Sequence, residues 1–223
     1  MKAGPTTRLR KICYWAGAIA LGVAYPILAH LAAASAVPNL QGALLAIIPL
    51  LGMALVMAWR SPWRAFMLTL WLALCAALYS IGGWLLTHYI WVFFLQHAGM
   101  YALLCAAFGW TLSGGRTPMI TRFARIVHGN LSPALIRYTR SVTWAWTLYF
   151  GGVAGLSLLL FWLAPIAVWS IFANLLGIPL LVLMFVGEYA VRWRVLPAAD
   201  RAGPLDAIRA YRQASSGNKA RRA

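Results

Sequence analysis

Apolar runs of about twenty residues recur along the chain, separated by short links where polar and turn-forming residues collect. A bilayer core about 30 Å thick takes roughly twenty apolar residues as a helix. Six segments meet that length: residues 12–31, 40–59, 65–86, 89–112, 144–163 and 167–191. Backbone groups in lipid must be satisfied within their own segment, so each run is expected as a helix. The expected fold is all-α. It is a polytopic bundle of six transmembrane helices over residues 1–191, with an amphipathic hairpin in the loop 113–143 and a basic tail over 192–223.

Inside that loop the pattern changes. Thr117 and Pro118 read as an N-cap and first helical residue, and Gly129 as the stop. Between them Met119, Ile120, Phe123, Ile126 and Val127 fall on one helical face, while Arg122, Arg125 and His128 lie off its centre. A second start at Ser132 and Pro133 is expected to run into the fifth span through Arg137, Tyr138 and Arg140. A basic amphipathic helix of this kind lies in the membrane interface, each nearby base adding about 1 kcal/mol of attraction to anionic lipid. The competing reading is a basic platform for an acidic or phosphate-bearing partner, because the planar Arg fork pairs with phosphate oxygens.

Composition strengthens the membrane reading. The chain is 63% hydrophobic and 10% charged, against about 25% charged residues in soluble domains. It carries 19 Lys and Arg against 3 acids. Such an excess fits nucleic acid or an anionic membrane surface. The bases lie between runs of bilayer length, so the bilayer is the expected partner and nucleic acid is not. Every Lys and Arg falls in the N-terminal segment, the links after the second and fourth runs, or the tail, and 13 of the 19 fall in the hairpin and tail. The positive-inside bias then puts both termini in the cytoplasm. An odd number of spans breaks this alternation. The aromatics agree: Trp59, Trp63, Trp110, Trp144 and Trp146 fall near one boundary, and Trp84, Tyr89, Trp91, Trp162 and Trp169 near the other. The first run exceeds a signal-peptide core and is expected to stay as an uncleaved anchor.

Few residues offer chemistry. Glu188 is the only acid within the runs. An acid there invites a functional reading, or it pairs with Arg192, four residues on, or with Arg140. Gln96, His97 and Asn174 are intramembrane polar residues expected to bond between helices. Pro26, Pro49 and Pro179 interrupt spans, with neighbouring helices expected to absorb the kinks. Gly151 and Gly155 form a close-packing step. Cys13, Cys75 and Cys105 lack metal spacing and read as small hydrophobes. There is no paired carboxylate, HExxH, Walker loop, GxSxG or GxGxxG. No metal or cofactor is expected, and an enzymatic role is not assigned.

Two segments, TPMITRFARIVHGNLSPALIRYTRSVTWAW and FVGEYAVRWRVLP, resemble an uncharacterised bacterial inner-membrane protein family associated with clusters for aryl polyene or xanthomonadin-type pigments. The matching positions are Thr117, Pro118, Arg122, His128, Tyr138, Thr139, Arg140, Thr143, Trp146, Glu188, Tyr189, Arg192 and Pro197. The resemblance implies a pathway rather than a reaction. It makes an accessory or scaffold protein of an acyl carrier protein-dependent pathway the leading expectation, with an acyl carrier protein or acyltransferase as partner. A transporter or flippase for a lipid-linked product, and a membrane-embedded acyl- or lipid-modifying enzyme, are the alternatives. The candidate cluster is Thr117, Arg122, His128, Tyr138, Arg140, Glu188, Tyr189 and Arg192.

Overall fold

The computed structural model describes residues 5–35 and 40–197, with the side chains of residues 5–13, 18, 21, 127 and 128 outside that description. Lys2, the side chains of Arg8, Arg10, Lys11 and Cys13, and the tail from Ala198 onward therefore lie outside the described residues. The described elements are helices: α1 (Pro5–Ala34), α2 (Leu40–Arg60), α3 (Arg64–Ser80), α4 (Gly82–Leu112), α5 (Met119–His128), α6 (Pro133–Leu163), α7 (Ile166–Ser170), a π-helical turn (Ile171–Leu176) and α8 (Gly177–Val195). Five stretches are long and apolar enough to cross a membrane: Tyr14–Ala34, Leu40–Arg60, Gly82–Leu112, Pro133–Leu163 and Ile166–Val195. Large apolar side chains on them stand exposed, Leu103, Leu148 and Leu163 among them. Outward-facing apolar side chains of this kind suit helices of a membrane bundle, where lipid covers them.

The sixth apolar helix is shorter than expected. α3 has 17 residues, about 26 Å at 1.5 Å per residue, and it ends near Ile81 rather than at Leu86. Ser80 donates its hydroxyl proton to the Ala77 carbonyl at 2.7 Å, which competes with the helical ladder. Gly82 and Gly83 follow and open α4. The polar pair Thr87 and His88, which marked the expected break, stays helical. Both side chains bond the Trp84 carbonyl one turn back, at 2.8 and 2.9 Å.

The described residues group into two compact units. Among the described residues, one unit takes those up to His97 together with Ser157–Gly177, and the other takes Ala98–Leu156 together with residues 178–197. In the first unit α1 packs on α2, α7 and the π turn, and α2 on α3. Its core is made of small residues and aromatic rings: Ala29, Ala33 and Ala46 with Tyr89, Phe93, Phe94 and Trp169. Tyr89 reaches across Gly42, where an added Cβ would lie 2.6 Å from its ring. Its hydroxyl donates to the Ala32 carbonyl at 2.7 Å, one of the last carbonyls of α1, which have no intrahelical partner.

The second unit is built on aromatic packing. Tyr138, Val142, Trp146 and Phe150 of α6 form a buried cluster with Leu135 and Leu196. Phe108 and Tyr101 of α4 pack against it. Gly151 brings its backbone close to Cys105, with an added Cβ 3.2 Å from the sulfur, whereas Gly155 has open space around it. Only the first half of the small-residue step is therefore used for packing within the unit.

Candidate functional site

The second unit builds its site from α5, the first turns of α6 and the last turns of α8. Ser132 caps α6 by accepting the Leu135 N–H at 3.1 Å, with Pro133 in the first helical position. α6 then runs unbroken to Leu163, so Arg137, Tyr138 and Arg140 stand on the same rigid rod as the apolar span.

α5 is capped differently from expectation. Pro118, not Thr117, precedes its first residue, and no side chain of the local sequence caps it. Its free N–H groups are taken by tertiary threonines: Met119 donates to Thr111 Oγ1 at 3.0 Å and Ile120 to Thr143 Oγ1 at 3.3 Å. Thr121 and Thr139 share a further hydroxyl bond at 2.8 Å. All four threonines are buried. The stop at Gly129 holds as expected, with φ of 70° and its N–H on the Arg125 carbonyl at 2.9 Å. α5 is thus bolted to α6 through Thr121, leaving Phe123 and Ile126 exposed on the far side with Arg122 and Arg125 exposed beside them. Threonines at 139, 143 and 147, spaced by four along one face of α6, were the signal for this stripe.

Glu188 sits at the centre of the site. Arg192 donates to its Oε1 from Nε at 3.0 Å and from Nη2 at 2.7 Å. Tyr138 donates its hydroxyl proton between the same oxygen, at 3.0 Å, and the Glu188 carbonyl, at 3.1 Å. The pair with Arg192 is the i,i+4 bridge expected on α8. The alternative partner does not join it: Arg140 is exposed and makes no ion pair among the described residues. The reason is helical phase. Tyr138 and Arg140 are two residues apart on α6, about 200° around the axis, so when Tyr138 faces α8, Arg140 faces away.

This knot forms part of the wall of a cleft of about 930 Å³ between α6 and α8. Arg137, Tyr138, Ser141 and Glu188 line it toward one end, and Ala145, Tyr149, Leu180, Leu183 and Met184 toward the other. Three donor contacts hold the Glu188 carboxylate as an acceptor, which suits binding rather than proton abstraction.

The other candidate residues are dispersed. Thr117 is half-buried and Arg122 exposed. The side chain of His128 lies outside the described residues. Tyr189 turns away from its neighbour Glu188 and packs edge-on to Trp193, with ring centres 6.0 Å apart.

Gln96, His97 and Asn174 belong to the first unit and bond within it. Gln96 donates to the Ala46 carbonyl, and Tyr25 donates to the Leu45 carbonyl at 3.3 Å. Pro49 removes the donor that the Leu45 carbonyl would take, so side chains of other helices absorb the kink as expected. His97 Nδ1 shares a bond with Ser157 Oγ at 3.0 Å, and Trp169 Nε1 donates to the same oxygen at 3.0 Å. Asn174 donates to the carbonyl and hydroxyl of Ser170, at 3.2 and 3.1 Å, and that hydroxyl meets His30 Nδ1 at 3.0 Å. His30 is a partner that the sequence reading passed over. No three His, Cys, Asp or Glu side chains converge among the described residues. No family model, curated protein or solved structure matches the chain.

Proposed function

We propose that the chain is an integral inner-membrane accessory protein that holds an acyl carrier protein-dependent assembly line, of the aryl polyene or xanthomonadin type, against the cytoplasmic face. The observation that carries this reading is the fixed basic surface of the second unit. α5 is locked to α6 by buried threonine bonds, and Arg122, Arg125 and Arg140 stand exposed around it. Glu188 is the only acid among the described residues, and Arg192 already holds it. The surface therefore keeps its positive charge, which complements an acidic carrier bearing a phosphate.

In this reading α3 is the third of six crossings. Its 17 residues are accommodated by local thinning and by anchoring flanks such as Trp63 and Arg64. Six crossings keep all 19 bases on one side. The resemblance of the two cytoplasmic segments to pigment-cluster membrane proteins supplies the pathway.

Capture of the pathway's carrier protein on the purified full chain at low salt tests the proposal. Binding is expected to fall at least about tenfold in an Arg122→Glu, Arg125→Glu double variant, since two reversed contacts exceed 1.4 kcal/mol. Capture that ignores the double reversal, or no capture at low salt, overturns it. The transporter alternative draws on the π turn that contains Asn174 and precedes Pro179, a broken-helix feature of the kind that lines transport sites. Finished product accumulating at the inner membrane of a deletion strain supports that alternative, and loss of product supports the scaffold.

A further inference from the structure

The cleft between α6 and α8 gathers its polar residues, Arg137, Tyr138, Ser141 and Glu188, in one half, rimmed by Ala134, Val191 and Val195, and is apolar toward Tyr149 and Leu180. The two helices run antiparallel along it, with Tyr138 against Glu188 and, two turns deeper, Trp146 against Phe185 at 4.8 Å between ring centres. We infer that this cleft seats one anionic phospholipid, with its phosphate on Arg137 and one acyl chain lying along the groove toward Tyr149.

Charge, length and access carry the inference. Arg137 and Glu188 are the charged residues lining the cleft. Arg192 compensates Glu188 at 2.7 Å, so Arg137 leaves the polar end with a net positive charge. Arg137 is exposed and makes no ion pair among the described residues. The Ser141 hydroxyl, exposed one turn further along, donates its proton to the Arg137 carbonyl at 3.2 Å and turns that proton to a phosphate oxygen when a headgroup is seated. From Arg137 to Tyr149 is about 18 Å along the helix, close to the half-thickness of a bilayer core about 30 Å across. A chain anchored by its head at Arg137 therefore ends near Tyr149.

The volume of about 930 Å³ is in the range of sites that bury most of a small amphiphile, roughly 300–1,000 Å³. Leu183, Val191 and Val195 line the cleft while remaining exposed. Both helices belong to stretches of membrane-spanning length, so the open side faces hydrocarbon and a lipid enters sideways. A bilayer phospholipid is the one occupant already present at that opening. The inference rests on the cleft alone and stands or falls separately from carrier docking on Arg122 and Arg125.

Native mass spectrometry of the full-length protein tests it, after exchange into equal amounts of phosphatidylglycerol and phosphatidylcholine. One phosphatidylglycerol per chain is expected to survive, retained about tenfold over phosphatidylcholine, whose choline cation offsets the phosphate charge that Arg137 meets. Arg137→Gln is expected to abolish the preference, and Arg64→Gln on α3 to leave it intact. Ala145→Phe fills the groove and is expected to release both lipids. Leu183→Trp, on the opposite lip of the groove, gives the same readout if Ala145→Phe impairs folding. Equal retention of the two lipids, or a preference that survives Arg137→Gln, overturns the proposal. So does stronger retention of palmitate or lysophosphatidylglycerol in parallel exchanges, which assigns the groove to single-chain ligands.

Discussion

The two units use polar side chains inside apolar helices in different ways. In the first unit the described polar groups that join helices include no carboxylate and no guanidinium. Gln96, Tyr25 and Tyr89 donate to backbone carbonyls, and His97, Ser157 and Trp169 share one bonded centre. Trp169, Ser157 and Ser170 are fully buried, so these contacts join helix to helix. In the second unit the polar centre is charged and lines an open cleft, with Glu188 held by Arg192 and Tyr138 beside Arg137. Neutral groups bonded to backbone stitch helices together at modest gain. A charge kept in a span demands a partner, and where that pair borders open space it marks a binding surface.

Four substitutions sharpen or break this contrast. Glu188→Ala is expected to have the largest effect on stability, about 3 kcal/mol, because it leaves Arg192 partly buried without its counter-charge. Denaturant unfolding of detergent-solubilised protein reads it, and a loss below about 1 kcal/mol removes the distinction between the units. Gly42→Ala comes next at about 2 kcal/mol, since its Cβ would sit 2.6 Å from the Tyr89 ring and overpacking of this kind costs about 1–3 kcal/mol. Ser157→Ala is expected to cost about 1 kcal/mol, the scale of interhelical hydrogen bonds within a bilayer, and Gln96→Leu about 0.6 kcal/mol. Losses near 3 kcal/mol at either position make the first unit's neutral network as demanding as the ion pair.

Double-mutant cycles give the finest comparison. Tyr138→Phe combined with Glu188→Gln is expected to show coupling of about 1 kcal/mol. Arg140→Ala with Glu188→Gln is expected to be additive within about 0.3 kcal/mol. Coupling between Arg140 and Glu188 contradicts the helical phase seen on α6.

Much of the fold was legible because hydrophobic length is a local property. The apolar runs became helices, Gly129 ended α5, Ser132 and Pro133 opened α6, and Glu188 paired with Arg192 on its own helix. What failed was local polarity read as a boundary. Thr87 and His88 suggested a link, yet both are satisfied by the Trp84 carbonyl inside α4. Thr117 suggested a cap, yet the donors of α5 go to Thr111 and Thr143. The candidate site was half legible. Tyr138, Glu188 and Arg192 came together, while Arg137, legible only as one of the hairpin bases, and Ser141, which carried no signal, line the same cleft.

The sequence by itself determined which segments are apolar helices of bilayer length, where the basic residues cluster, and the one ion pair spaced at i,i+4. Each depends on residues within a few turns of one another. Only the tertiary structure decided that Tyr138 rather than Arg140 meets Glu188, that Tyr25 takes the carbonyl freed by Pro49, and that α6 and α8 leave a cleft between them. Those outcomes depend on how one helix is rotated against another. In helices with apolar residues on every side, the hydrophobic pattern carries no preferred face from which to read that rotation.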